Sequence, residues 1–193
     1  MSYSVVTITR EFGSGGRTIA KKLAEELGYD YYDYELVQKI AQESGFAEGF
    51  IEEFGEEVST GGFFSFFGNN WGALNINDQL YFAERKVILE LAEKGNCIIV
   101  GRCADYILKD RKDTLNVFIY ADMEWKKDRI VNLYGETDVD IEKRILEKDK
   151  RRKAYYKYYT DRKWNRAANY HVSLESSELG IDTCVEILKS IVK

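Results

Sequence analysis

Proline is absent from the 193 residues, and histidine occurs once, at His171. Without proline there is no cis-proline turn. One histidine excludes any metal site built on several imidazoles. Its place in an apolar alternation makes it a structural residue rather than the base of a catalytic triad. The three cysteines, Cys97, Cys103 and Cys184, are too few and too scattered for a disulfide framework. Cys97 lies in an apolar run and is expected to be a small core residue. No stretch reaches the ~18 consecutive apolar residues of a membrane span. Residues 1–10 have neither the basic start nor the apolar block of a secretory signal, so the cytoplasm is the expected compartment. Chemistry is left to carboxylates, guanidinium and ammonium groups, hydroxyls, thiols and backbone amides.

What is present is an ordinary globular balance: 45% hydrophobic and 32% charged residues, with a net charge of -5. The length suits one domain with a real core and no need of staples. The net acidity argues against a long polyanion as partner.

Apolar, β-branched runs predict strands at Tyr3–Thr9, Tyr29–Tyr32, Cys97–Val100, Leu115–Tyr120 and His171–Leu174. Helical periodicity predicts helices at Arg17–Leu27, Tyr34–Ser44, Asp78–Glu93, Met123–Tyr134, about Asp138–Tyr159 and Ile181–Val192. Gly28 and Gly45 are natural helix stops, and Asp33 a helix cap. Residues 46–58 are acidic and expected to be helical in part. Residues 59–77, rich in Gly, Asn and Phe, have no periodicity and predict a mobile loop or irregular hairpin. Strands alternating with helices imply a parallel sheet of about five strands, covered by helices on both faces.

The chemistry concentrates after the first strand, in Thr7-Ile8-Thr9-Arg10-Glu11-Phe12-Gly13-Ser14-Gly15-Gly16-Arg17-Thr18. Glycines between a strand and a helix let backbone N–H groups curl around an anion, and the helix N-terminus adds its positive dipole. The chain here resembles the P-loop nucleoside monophosphate kinases. It is closest to their cytidylate-kinase-like group, whose members carry a loop of the REFGSGGR type. The resemblance extends over nearly the whole chain. It is strongest at Arg10–Gly28, Tyr32–Leu36, Ile98–Ile107 and Ala168–Ile187.

That resemblance implies a P-loop NTPase-type three-layer α/β fold with inserted acceptor-binding and lid segments, about 46–77 and 138–166. It implies ATP and Mg2+ as cofactors, with Gly13, Ser14, Gly15, Gly16, Arg17 and Thr18 around the donor and the Thr18 hydroxyl on the metal. The loop departs from G-x-x-x-x-G-K-[ST]. Placed strictly, Glu11 stands for the first Gly and Arg17 for the Lys. Against the G-x-x-G-x-G-K-G-T variant, Gly13, Gly15 and Thr18 match and Gly16 stands for the Lys. Both registers lack the lysine, and Arg17 is the natural substitute cation. Glu11 would repel phosphates unless a cation intervenes, Arg10 or magnesium being the candidates.

Three further groups complete the candidate site. Arg102 follows an apolar strand and, at its carboxyl end, faces the crevice where ligands of such sheets lie. The resemblance makes it a contact of the acceptor phosphate. The resemblance makes Asp33, with Glu35 beside it, the start of the acceptor-binding segment. Between Lys143 and Arg166 stand eleven cations against three anions. The resemblance makes this a lid in which Lys148, Arg151 and Arg152 clamp the transferring group. The expected activity is phosphoryl transfer to a nucleoside monophosphate such as CMP. The missing lysine, and tyrosines interleaved with these cations, leave open a nucleotide-sensing or RNA-binding module. Phe63, Phe64, Phe66, Phe67 and Trp71 suit either self-association or a flap on the acceptor site.

Overall fold

The computed structural model describes residues 3–43, 76–135 and 140–193. Five parallel strands, β1 (Val5–Arg10), β2 (Asp30–Tyr32), β3 (Cys97–Val100), β4 (Thr114–Tyr120) and β5 (Val172–Glu175), form one sheet in the order β2-β3-β1-β4-β5. Val5 pairs with both Cys97 and Thr114, which puts β1 at the centre. The first strand begins two residues later than its apolar run and extends to Arg10, so Arg10 is the last residue of the central strand.

Side-chain alternation along the strands divides the core. Val6 and Ile8 point to one face, where they are covered by α1 (Gly16–Leu27) and the C-terminal helix (Ile181–Val192) through Ile19, Leu23, Val185 and Leu188. Val5, Cys97 and Ile99 point to the other face, under α2 (Tyr34–Glu43) and α3 (Ile76–Lys94), through Val37, Val87, Ile88 and Leu91. Leu23 and Leu188 are fully buried, so truncating either to alanine would cost about 2–5 kcal/mol. The three-layer α/β architecture expected from the alternating pattern is therefore present.

Two short helices escape the periodicity because each is one turn long: α4 (Ala104–Ile107) and α7 (Ser176–Leu179). The remaining helices are α5 (Met123–Tyr134), capped by Asp122, α6 (Ile141–Thr160), capped by Asp140, and the C-terminal one, α8. A third cluster, Tyr81, Cys103, Phe118, Tyr156, Trp164 and Tyr170, welds α6 to α3 and β4. The expectations for residues 46–75, including Gly45 just before them and the aromatic cluster, lie outside the described residues. No helix among the described residues is long and apolar enough to cross a membrane.

Candidate active site

The loop between β1 and α1 turns on Gly13 (φ 83°) and Gly15 (φ 74°), left-handed conformations that suit glycine. Ser14 is fully buried; its hydroxyl donates to the Glu11 carbonyl at 2.9 Å, and its own carbonyl accepts from the Ser176 hydroxyl at 2.6 Å. Gly15 stands at the N-cap of α1, and no side chain caps the helix. The first helical N–H groups are left for a ligand or water. They adjoin a cavity of about 310 Å³ lined by Arg10, Gly13, Gly15, Gly16, Arg17, Thr18, Lys21, Lys22, Arg129 and Arg152 among others. A glycine-built loop, an uncapped helix N-terminus and this many cations together suit a polyphosphate.

Helix α5 supplies residues that the periodic pattern did not single out. Lys126, almost fully buried, pairs with Glu11 at 2.9 Å. It is the cation that intervenes at Glu11. Three residues on, the Arg129 guanidinium donates to the Thr18 hydroxyl at 2.7 Å, and Ile130 packs against Gly13. The signal in the sequence was the three-residue spacing of Lys126 and Arg129 beside Ile130, which a plain amphipathic reading assigns to solvent and core.

Arg17 lines the glycine-loop cavity, but its guanidinium is taken up by two carboxylates. Its Nε donates to Asp33 Oδ2 at 3.0 Å and its Nη2 reaches Glu35 at 3.4 Å. Asp33 also caps α2 by accepting the Leu36 N–H at 3.2 Å. Burial alone would raise the Asp33 carboxyl, but the Leu36 N–H, Arg17 and Tyr31 outweigh it and hold its pKa below the ordinary value.

The cations of α6 divide by face. Asp149, buried, accepts the Phe12 N–H at 2.8 Å, and Arg152 donates to the Arg10 carbonyl at 3.2 Å. Arg151 is exposed and lines two cavities on the Arg102 side of the crevice. Lys148 is exposed and lines none of the three cavities described here.

Across the crevice, Gly101, Arg102 and Cys103 all have positive φ, between 54° and 83°. For the two non-glycine residues this costs about 1–3 kcal/mol each and marks a turn held for a purpose. It carries Arg102 into a cavity of about 470 Å³, lined by Thr9, Arg10, Tyr34, Arg102, Arg151, Arg152, Tyr155 and Trp164 among others. The Arg102 guanidinium lies 3.7 Å from the Tyr34 ring centroid and 5.0 Å from that of Tyr155. Its Nε stands 3.4 Å from Glu84 Oε1. Glu84 is 1% exposed, and burial pushes its carboxyl up to about 7, against the opposing pull of Arg102 and of the Tyr155 hydroxyl. A wider cavity of about 780 Å³ continues outward past Glu84, Tyr155, Tyr158 and Tyr159. Arg10 and Arg152 line both the glycine-loop cavity and the first cavity around Arg102.

Among the described residues no group of three His, Cys, Asp or Glu side chains could hold a metal by itself. A magnesium ion here would have to come with phosphate oxygens, the mode this ion ordinarily uses. Thr18, the metal ligand expected from the sequence, lines the glycine-loop cavity, and its hydroxyl accepts from Arg129.

A sequence profile of the cytidylate kinase-like family matches residues 5–178. Proteins named cytidylate kinase from Methanopyrus kandleri and Methanococcus vannielii are 25% and 27% identical to this chain, covering 97% and 98% of it and 92% and 99% of their own lengths. Among solved structures, an uncharacterized protein from Eubacterium ventriosum matches with a TM-score of 0.73 at 27% identity, over 97% of both chains. The shikimate kinase from Acinetobacter baumannii, solved with shikimate, matches at 0.52 and 18% identity, over 98% of this chain and 93% of its own. The last likeness concerns the fold alone, which is the α/β fold of P-loop kinases.

Proposed function

Because the chain belongs to the cytidylate kinase-like family, we propose that it moves the γ-phosphoryl group of ATP to a nucleoside monophosphate, with CMP the first candidate. The observation that carries this reading is the pair of cavities meeting at one wall. One is built on a glycine loop and an uncapped helix start, the other around Arg102, and Arg10 and Arg152 belong to both. Phosphoryl transfer needs two anions brought in line and their charge neutralised, and little else from the protein.

In this proposal Gly13, Ser14, Gly15 and Gly16 surround the donor phosphates, with Arg17 at the cavity wall, its guanidinium tied to Asp33. Arg102 orients the acceptor phosphate, and Asp33 holds the start of the acceptor-binding segment through Arg17. An oxygen of the acceptor phosphate, already ionised, forms the new bond to the γ-phosphorus. The bond from that phosphorus to the bridging oxygen breaks, and ADP leaves with the electron pair, so no general base is needed. Magnesium supplies charge neutralisation on the donor phosphates when bound, and the protein offers it the Thr18 hydroxyl. Arg151 and Arg152 shield the group in transit and exclude water, with Lys148 joining from the exposed face of α6 on closure. The chain would work as one catalytic unit in the cytoplasm.

The RNA-binding alternative needs free aromatic faces. Tyr156 is buried with its hydroxyl on Asp105 at 2.6 Å, and Tyr159 stacks on Tyr81 at 3.8 Å. These two rings are engaged by the protein and leave Tyr158 as the exposed ring of the run, fewer stacking faces than a single-stranded RNA would use, which favours the kinase. ADP release from ATP–Mg2+ with CMP, UMP, AMP and GMP in turn tests the proposal. Activity with at least one, and strongest with a pyrimidine, is expected; none with any would overturn it.

A further inference from the structure

The loop lacks its lysine, and the cation expected in its place, Arg17, is bound to Asp33 and Glu35. The register that matches Gly13, Gly15 and Thr18 puts Gly16 where the lysine would be, and Arg10 six residues before it, where the first glycine would be. The structure couples these two positions. A Cβ on Gly16 would lie 2.6 Å from Arg10 Cβ and 3.0 Å from its Cγ. A side chain at residue 16 and the arginine at residue 10 therefore compete for the same space. The far end of Arg10 needs a second glycine: a Cβ on Gly101 would stand 2.2 Å from Arg10 Nη1. The arginine occupies a slot cut by two missing side chains.

In that slot the described residues give the guanidinium no ion pair, and Asp33 acts on it only from a distance. Among the described residues no carboxylate lies within ion-pair distance of Arg10, and its nearest charged neighbour in effect is another cation, Arg152. Burial, then Arg152, push its pKa down to about 9. A half-buried cation beside a second cation is held at a cost that an anion joining them would relieve. It lies where the phosphate-loop cavity meets the acceptor cavity.

We propose that Arg10 carries the charge of the missing loop lysine, relocated from residue 16 to residue 10, and grips the terminal phosphate of the nucleoside triphosphate. Arg10 is then a catalytic residue, touching the group in transit, while Arg17 positions the acceptor segment through Asp33. A guanidinium can hold two oxygens of one phosphate in a planar fork, where a lysine acts as a point charge. The inference rests on the kinase reading for the identity of the ligand, though not for the existence of a polyphosphate site.

The probe is inorganic tripolyphosphate, followed by titration calorimetry and thermal denaturation of the full chain. Wild type should bind it and gain thermal stability. Arg10→Met should keep or raise the melting temperature of the free protein, because a half-buried charge next to Arg152 is gone, while weakening tripolyphosphate binding by at least about tenfold, the loss of one charged hydrogen bond. Arg10→Gln, neutral and polar, should show the same loss of binding and stands in if the methionine is not accommodated. The exchange Arg10→Gly with Gly16→Lys should recover most of the affinity, whereas Gly16→Lys alone should be destabilised by collision with Arg10. Equal binding by wild type and the neutral variants would overturn the inference, as would no binding by wild type. If tripolyphosphate binding depends on Arg10 but no monophosphate is ever phosphorylated, the kinase reading falls and the Arg10 site stands.

Discussion

Asp149, near the middle of α6, accepts a hydrogen bond from the backbone N–H of Phe12 in the phosphate loop, at 2.8 Å across 137 residues of sequence. Arg152, one turn later, reaches the Arg10 carbonyl. The cation-rich helix α6 is thereby fastened to the glycine loop. Asp149→Ala removes the acceptor and leaves the Phe12 N–H without its partner, at a cost of about 1–3 kcal/mol. Urea unfolding should show that loss, and Asp149→Asn, which keeps a carbonyl oxygen, should recover part of it.

Lys126 and Glu11 form a pair that only the fold reveals. Lys126→Met should lower stability by about 2 kcal/mol and weaken ATP binding, because Glu11 is left unneutralised beside the phosphates. Adding Glu11→Gln to Lys126→Met should restore both. Denaturant unfolding and calorimetric titration with ATP–Mg2+ would follow the cycle; additive losses in the double variant would refute the pairing's role.

Stability should depend on pH through Glu84. Its carboxyl ordinarily ionises near 4.5, and in the fold near 7, so the folded state holds a proton that the unfolded state has already released. Stability from this group is therefore present below about pH 4.5 and falls as pH rises toward 7, by up to about 3 kcal/mol. Arg102 and Tyr155 face it and pull the other way, which the value of about 7 already includes. Glu84→Gln should flatten the unfolding free energy across that window, measured in denaturant at several pH values.

Arg102 and Arg151 should separate binding from turnover. Arg102→Ala should raise the KM for the monophosphate and leave ATP affinity nearly unchanged, since Arg102 lines only the acceptor-side cavities. Arg151→Ala should lower kcat more than either KM, as expected for a contact completed on closure. Steady-state kinetics with each substrate varied in turn would decide both. Loss of ATP affinity in Arg102→Ala would place that arginine on the donor instead.

The alternation of strands and helices was legible because β-branched runs and amphipathic stretches carry it locally. The glycine loop and Arg102 were legible from their places next to strands. Lys126 and Arg129 were not, because a cation on an amphipathic helix looks solvated until packing turns that face toward the loop. The direction of Arg17 was likewise hidden: its position in the loop suggested phosphate, and Asp33, sixteen residues on, takes it instead. The slot around Arg10 depends on two absent side chains, at Gly16 and Gly101, that meet only through the pairing of β1 with β3.

Transfer itself is the most direct measure of the central claim. Wild-type enzyme in excess is mixed with ATP labelled in its γ-phosphate, Mg2+ and CMP, and the products are separated after a single turnover. The account predicts that the label appears in the nucleoside diphosphate formed from CMP, with ADP in equal amount. Label found only as inorganic phosphate, or left in ATP with CMP and every other monophosphate, would contradict it.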